Sequence, residues 1–294
     1  MHYYLLGNQL AFHFETPVPE KLADKLVHHK TDKLPPGSVT IELYGFSARG
    51  LKGVPWRFYK GVPWRAETVY RENGTLERVV FQAPFFRIFL FVRLVLLPLL
   101  WLLAVRAGGF YLLGTVFVKN DTTTLLFASP GAGKTRMTLQ MLANENIDLI
   151  GDGSFIYLPG EGFITVLREI ELRHKTIAGL TFYQKLTWLV KFRLLLCHII
   201  SFMTGRYISF NVTLPPEALG LSFVNDHVTA GHRVEYVHSF CESEEIRNGR
   251  ITANIISYLQ TYVRCYANIY SGEWPMAQTK EKIADFIEKY DLVD

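Results

Sequence analysis

Residues 1–82 alternate short apolar stretches with Pro, Gly and charged residues. Such a pattern is typical of β-strands joined by turns. The clearest candidate strands are Tyr3–Leu6, Val39–Tyr44 and Val79–Phe81. We therefore predict a β-rich N-terminal region, residues 1–84, followed by a second domain in residues 85–294.

The N-terminal region contains one short repeat. The hexapeptide Lys-Gly-Val-Pro-Trp-Arg occupies residues 52–57 and again residues 60–65. Two copies are too few for a repeat architecture. They favour a pair of similar strands or loops, and the alternative is a Trp/Arg surface that grips a substrate.

The most apolar stretch of the chain is Phe85–Val105. Its uninterrupted part, Leu94–Val105, is shorter than the roughly 20 residues that span a bilayer. A longer span would place Arg87 and Arg93 in lipid, which is costly. The sequence therefore favours a buried helix, broken or kinked near Pro98, over membrane insertion.

A second apolar helix is predicted at Trp188–Phe202, where Lys191, Arg193 and His198 interrupt large apolar residues. Two interpretations of this segment stay open. It is either a core helix with a basic edge or an interfacial helix that faces anionic lipid.

Between these two segments the pattern changes to strand, loop, helix and strand. We predict strands at Phe110–Val118 and Thr122–Phe127, a helix from Thr135 to Asn144, and a strand at Ile147–Ile150 that ends at Gly151-Asp152. This order is the setting that a phosphate-binding loop requires. The C-terminal part is predicted to hold one strand and two helices, at Arg233–Ser239, Ile251–Tyr270 and Met276–Tyr290.

Composition narrows the class of protein. The chain has 294 residues, of which 49% are hydrophobic and 20% charged, so it is neither disordered nor fibrous. The net charge of +4 makes the protein mildly basic. The sequence contains no Lys/Arg-rich run, so nucleic acid is not an expected partner. Three widely spaced cysteines and the lack of a signal-peptide pattern indicate reduced thiols in the cytoplasm.

The strongest chemical signal is the glycine-rich segment after the second strand, which reads Ser129-Pro130-Gly131-Ala132-Gly133-Lys134-Thr135. Glycines let successive backbone N–H groups face one phosphate chain. Lys134 would place its charge on the β- and γ-phosphates of ATP, and the Thr135 hydroxyl would reach Mg²⁺. The usual pattern begins with Gly where this chain has Ala128, at a position that turns the strand and does not contact phosphate.

Asp152 is the second chemical element, because it follows an apolar strand predicted to leave the same sheet. A carboxylate there could hold Mg²⁺ or accept a proton from an attacking hydroxyl. The alternative is an Asp that caps a Gly-Asp-Gly turn.

The run Leu113–Thr135, with its continuation through Asp152 to the segment Ile170-Glu171-Leu172-Arg173, resembles the HPr kinase/phosphorylase superfamily over about sixty residues. That resemblance implies an α/β (α+β) domain with a phosphoenolpyruvate-carboxykinase-like nucleotide-binding core, preceded by a β-rich region. It implies that Thr135 and Asp152 are Mg²⁺ ligands, that Asp152 also serves as base, and that Glu171 is a second metal-associated carboxylate.

Two positions depart from the family pattern. The family commonly has His where this chain has Leu113, and two adjacent acids where this chain has Gly151-Asp152. These departures argue against a bifunctional kinase/phosphorylase and leave a simpler kinase, because phosphoryl transfer depends mostly on positioning and charge neutralisation.

The resulting hypothesis is an ATP- and Mg²⁺-dependent kinase that phosphorylates a hydroxyl of a peptide, protein or small metabolite. The alternatives are an ordinary P-loop ATPase, with residues 147–152 as its metal-binding strand, and a non-catalytic nucleotide switch at a membrane or partner. We predict a soluble protein. The sequence leaves open the acceptor, the arginine that assists transfer, peripheral membrane contact and homo-oligomerisation.

Overall fold

The computed structural model of the chain describes residues 2–7, 9–45, 51, 53–59, 61–85, 87–119, 122–127, 134–144, 147–167, 169–203, 212–214, 216–219, 232–236, 278, 281, 282 and 285. Helices and strands both contribute widely to these residues, so the predicted mixed α/β class is confirmed. The described residues divide into two compact units: the first holds those in 2–111 and Gln278, and the second holds those in 112–236 with Glu281, Lys282 and Asp285.

Seven strands of the first unit form one sheet. They are β1 (His2–Leu6), β2 (Leu10–Phe14), β3 (Lys30–Thr31), β4 (Val39–Tyr44), β5 (Arg57–Tyr59), β6 (Val62–Tyr70) and β7 (Leu76–Gln82), with one short helix, α1 (Glu20–Lys25), and a 3₁₀ turn at Val27–His29. Their order across the sheet is β3-β1-β2-β4-β7-β6-β5. The three strands predicted from sequence in this region lie within β1, β4 and β7. In β4 the alternation is regular: Val39, Ile41 and Leu43 are buried, because every second side chain faces the core.

The repeated hexapeptide lies around the hairpin of β5 and β6: residues 53–56 of the first copy are a loop that leads into β5 at Arg57, whereas the second copy enters β6 at Val62. Its two Trp-Arg pairs meet across the hairpin, since the Arg57 guanidinium lies 5.6 Å from the ring centre of Trp64 and that of Arg65 lies 4.6 Å from that of Trp56. Arg65 Nε also donates to Gln82 Oε1 at 2.6 Å. Both arginines have partners inside the unit. The two copies differ in structure, one a loop and the other a strand, so they are not the predicted pair of similar strands or loops.

The apolar segment predicted as a buried helix is helical from Arg87 to Arg106. It comprises α2 (Arg87–Phe91), a π-helical turn (Val92–Leu96) and α3 (Leu97–Arg106). The π turn ends directly before the first turn of α3, which holds Pro98. A proline ring clashes with the carbonyl four residues earlier, here within the π turn, and the wider turn relieves that clash.

This helix is long and apolar enough to cross a membrane by length and composition, and it is the one such helix among the residues that the structure describes. However, 72% of its most apolar window is buried inside the protein. Its residues Leu94, Leu99 and Leu100 have no exposed surface. The predicted core position is therefore confirmed.

The boundary between the two units differs from the predicted domain boundary between residues 84 and 85, because this helix packs on the first unit. The Phe91 ring lies 5.7 Å from that of Phe14 and 5.8 Å from that of Phe81, so the helix packs on the first sheet. Because these aromatic contacts hold it there, the helix belongs to the first unit.

The second unit is built around a five-stranded sheet in the order β11-β10-β8-β9-β14. Its strands and those of a separate two-stranded sheet are β8 (Phe110–Lys119), β9 (Thr122–Phe127), β10 (Asp148–Leu158), β11 (Gly162–Thr165), β12 (Ile170–Leu172), β13 (Val212–Leu214) and β14 (His232–Tyr236). Its helices are α4 (Lys134–Asn144), α5 (His174–Ile177), α6 (Thr181–Lys185), α7 (Trp188–Met203) and a 3₁₀ turn at Pro216–Leu219.

A single apolar cluster joins these elements. Phe117 of β8, Leu139 of α4, Leu149 of β10 and Leu194 of α7 are all buried in it. Through this cluster α4 packs against the sheet, and this packing fixes the position of the first turn of the helix. The predicted C-terminal strand overlaps β14, which pairs in parallel with β9. The two predicted C-terminal helices lie almost entirely outside the described residues.

Candidate functional site

The predicted phosphate loop lies between two elements whose bounds match the prediction. Strand β9 ends at Phe127 and helix α4 begins at Lys134. The connecting residues Ser129, Pro130, Gly131, Ala132 and Gly133 lie outside the described part of the chain, so the shape of the loop stays a prediction. Lys134 and Thr135 are described and form the first turn of the helix.

Local contacts position that first turn. Thr138 Oγ1 donates to the Lys134 carbonyl oxygen at 3.0 Å, which closes the first helical turn from the side chain. One face of α4 is apolar: Leu139 is buried and Met141 and Leu142 pack against the same cluster. The helix therefore has little freedom to rotate, and Thr135 is held facing β10.

Asp152 lies where β8, β10 and α4 meet. Its Oδ1 accepts a hydrogen bond of 2.6 Å from Thr115 Oγ1 of β8, and its Oδ2 accepts one of 3.0 Å from Thr135 Oγ1 of α4. Only 8% of the residue is exposed. The carboxylate is thus fixed at both oxygens, and one of its partners is the hydroxyl that the sequence predicts as a Mg²⁺ ligand.

Asp152 does not cap a turn, and the strand does not end there. Strand β10 continues to Leu158, since Phe155, Ile156 and Leu158 are fully buried and the strand pairs with β11. The prediction of a strand ending at Asp152 is therefore wrong. The two flanking glycines lower the apparent strand propensity of a segment that burial nevertheless keeps extended.

The neighbouring Gly151 explains why only one carboxylate stands here. A Cβ at this position would lie 2.8 Å from Thr165 Cγ2, closer still to Thr165 Oγ1, and 3.1 Å from Phe155 Cε1. Thr165 is itself fixed, because it is fully buried and its hydroxyl donates to the Ile150 carbonyl at 2.8 Å. An acidic side chain next to Asp152 would need this packing to change.

A larger residue at this position should destabilise the second unit. We expect Gly151→Ala to lower the free energy of unfolding by about 1–3 kcal/mol, the usual cost of overpacking. Chemical denaturation would measure it. The same substitution in a Thr165→Ala background should cost clearly less, because the clash is removed. Equal costs in both backgrounds would contradict the proposed close packing.

Burial shifts the pKa values of Asp152 and Lys134. Burial raises the pKa of the Asp152 carboxyl above its ordinary value, opposed by the hydrogen bonds from Thr115 and Thr135 and the charge of Lys134, while the charge of Glu171 raises it further. Burial likewise lowers the pKa of the Lys134 ammonium, opposed by the charge of Asp152. Lys134 is half-buried, not fully solvated as its position after a loop suggests.

The raised pKa predicts a pH-dependent stability. A carboxyl whose folded pKa lies above its unfolded pKa stabilises the fold at low pH, and that contribution is lost as pH rises through the folded pKa. Asp152→Asn removes the charge, so its Tm should exceed the parent's at pH 7–8. This difference in Tm should disappear near pH 4, and calorimetric scans at both pH values would measure it. A lower Tm of the variant at neutral pH would contradict this account.

Glu171 is less tightly placed than Asp152. It is an exposed residue in the middle of β12, opposite Thr213 of β13. Its charge nevertheless reaches the site, because it raises the pKa of Asp152. The structure thus brings Lys134, Thr135 and Asp152 together, with Glu171 within electrostatic reach.

The sequence reasoning missed Thr115. This residue is fully buried in β8 and supplies the shortest hydrogen bond to Asp152. The available signal was a hydroxyl residue inside a run, Phe110–Val118, that otherwise consists of apolar and aromatic residues and one glycine. A buried polar side chain needs a partner, and a nearby strand with a buried acid offers one.

The donor set suits Mg²⁺ better than a transition metal. Among the residues that the structure describes, no three His, Cys, Asp or Glu side chains are grouped closely enough to hold a metal ion by themselves. Mg²⁺ prefers one or two protein oxygens, with water and substrate phosphates completing its octahedron. Thr135 Oγ1 and Asp152 Oδ2 are such oxygens, and they would hold the ion at the start of α4.

Comparison with known proteins adds no assignment, since no protein-family model and no curated protein matches this sequence.

Proposed function

We propose that the protein is an ATP- and Mg²⁺-dependent kinase that transfers the γ-phosphoryl group to a hydroxyl of a peptide, protein or small metabolite. The observation that carries the proposal is the 3.0 Å hydrogen bond between Thr135 Oγ1 and Asp152 Oδ2. It joins Thr135, the last residue of the glycine-rich segment, to a buried carboxylate on strand β10. P-loop enzymes hold Mg²⁺ with this pair of residue types.

Each residue then has a role that its surroundings support. Lys134 starts α4, where its charge and the N-terminal end of the helix dipole both favour phosphate. Thr115 and Thr135 orient the Asp152 carboxylate, which reduces the reorganisation needed when nucleotide binds. Mg²⁺, when bound, neutralises charge that develops on the transferred group.

The raised pKa of the Asp152 carboxyl suits it to accept a proton from an attacking hydroxyl, whether that hydroxyl belongs to an acceptor or to water. The resemblance to the HPr kinase/phosphorylase superfamily favours the kinase over a simple ATPase. Asp152 would then act as base, with Glu171 as the outlying second carboxylate of the family pattern.

A second candidate is a nucleotide-binding switch or ATPase without an acceptor. The observation that favours it is the packing of Gly151 against Thr165, which leaves Asp152 without an adjacent acid. One carboxylate can bind the metal or accept the proton, and both tasks at once are harder for it. This candidate keeps the nucleotide site and drops the transfer step.

The test is ATP–Mg²⁺-dependent phosphorylation of a panel of hydroxyl-bearing metabolites, peptides and proteins, with products identified by mass. The kinase proposal predicts at least one product carrying one added phosphoryl group, absent with EDTA. Phosphate release without any acceptor product would favour the ATPase. ATP binding with neither activity would favour the switch, and no ATP binding would remove both candidates.

A further inference from the structure

One face of α7 is apolar and exposed although the helix packs on the protein core. Trp188, Phe202 and Met203 are 75%, 77% and 78% exposed, and Phe192, Leu195 and Ile199 are each more than 40% exposed. Residues spaced by three and four positions share one face of a helix. The opposite face is used internally, since Leu194 is buried and Val190 and Cys197 pack against the apolar cluster of the unit.

The exposed stripe lies in a strongly basic part of the chain. Residues 172–216 contain no Asp or Glu and six basic residues, namely Arg173, Lys175, Lys185, Lys191, Arg193 and Arg206. This local charge of +6 exceeds the +4 of the whole chain, so the rest of the chain is net acidic by about 2 (4 − 6 = −2). The positive charge is therefore concentrated in the stretch of sequence that contains α7.

Two of these residues border the stripe on the helix itself. At about 100° per residue, Lys191 falls beside one edge of the apolar arc and Arg193 beside the other. Lys191 Nζ donates to the Gln184 carbonyl oxygen at 3.2 Å and lies 5.3 Å from the ring centre of Tyr183, which holds the charge at that edge. An apolar face with basic residues on both sides fits an anionic lipid surface.

We propose that α7 binds the surface of an anionic membrane through this stripe. The helix lies in the plane of the interface and does not cross it, because its 16 residues reach about 24 Å, less than the roughly 30 Å hydrocarbon core. Burial of Leu194 in the protein also prevents the helix from leaving the fold. Trp188, at its start, is a residue type enriched at the lipid–water boundary.

A second copy of the chain fits this face less well. A two-fold contact through the stripe would bring Lys191 and Arg193 of both copies to one seam, with no acidic residue on the helix to pair with them. Like charges opposed at an interface are unfavourable. Anionic headgroups supply the missing opposite charge.

The experiment is flotation of the full chain with vesicles of phosphatidylcholine alone or with phosphatidylglycerol. We expect partition into the anionic vesicles only, weakened by salt and reversed by alkaline carbonate. Phe202→Glu should lower the partition coefficient at least about tenfold, since one buried phenylalanine is lost from the interface. Arg193→Gln should lower it about fivefold.

The matched control is Phe58→Glu, because Phe58 is 70% exposed in the other unit and the substitution changes charge equally. It should leave partition unchanged, and circular dichroism should show all variants folded. The proposal is overturned if the parent does not float, if neutral vesicles bind equally, or if Phe58→Glu acts like Phe202→Glu. A concentration-dependent dimer that Phe202→Glu dissolves, without vesicle binding, would assign the face to self-association.

Discussion

Asp152→Asn should reduce phosphoryl transfer by at least about two orders of magnitude, since groups that move protons typically contribute 10²–10⁴-fold in rate. The substitution keeps the size of the side chain and can keep contacts with both threonine hydroxyls. It removes the negative charge that would hold Mg²⁺ or accept the proton of the acceptor. ATP itself should still bind, because in the proposed site its phosphates contact the glycine-rich segment and Lys134, which this substitution leaves unchanged. Single-turnover rates and ATP affinity, measured separately, distinguish these effects.

Asp148 provides the control for this substitution. It lies at the exposed start of the same strand, so Asp148→Asn changes the same charge without touching the buried carboxylate. Its rate should equal the parent's. A parental rate in Asp152→Asn would remove this residue from the mechanism and leave Glu171 as the principal acid to test.

Lys134→Ala should raise the Kd for ATP–Mg²⁺ at least about tenfold, because hydrogen bonds to charged groups contribute about 1.5–3 kcal/mol. The fold should survive. Burial lowers the pKa of this ammonium, which means that its charge is held at a cost in the protein without ligand. Calorimetric titration with ATP–Mg²⁺ measures the change, and thermal unfolding measures the stability.

Gln140→Ala is the control that tests whether the expected loss of ATP affinity in Lys134→Ala is due to the lysine side chain. Gln140 is exposed on the same helix, and alanine favours helix formation, so α4 is kept. This variant should bind ATP like the parent. Equal ATP affinity of Lys134→Ala and the parent would show that the glycine-rich segment does not bind phosphate.

The elements around the site could be predicted because their patterns are local. Strand β9 and helix α4 have the bounds that apolar runs and the Lys134-Thr135 step indicate. The long apolar helix was also predictable as a buried one, because Arg87 and Arg93 would be costly in lipid, although its full length of 20 residues would allow a membrane span. The resemblance implied a shared Mg²⁺ role for Thr135 and Asp152, which stays a prediction, while the structure shows that their side chains are hydrogen-bonded.

Other features depend on contacts between distant residues. Thr115 is 37 residues from Asp152 in sequence, and only the adjacency of β8 and β10 brings them together. The continuation of β10 past Gly153 depends on pairing with β11. The helix Arg87–Arg106 belongs to the first unit because of aromatic contacts with Phe14 and Phe81. No local sequence pattern predicts any of these contacts.

The central claim is that Lys134, Thr135 and Asp152 form one ATP–Mg²⁺ site. Calorimetric titration of the parent and of Asp152→Asn with ATP, in Mg²⁺ and in EDTA, tests it most directly. We predict that Mg²⁺ tightens ATP binding to the parent, whereas Asp152→Asn binds ATP with little dependence on Mg²⁺. Failure of the parent to bind ATP, or an equal effect of Mg²⁺ on both proteins, would contradict the claim.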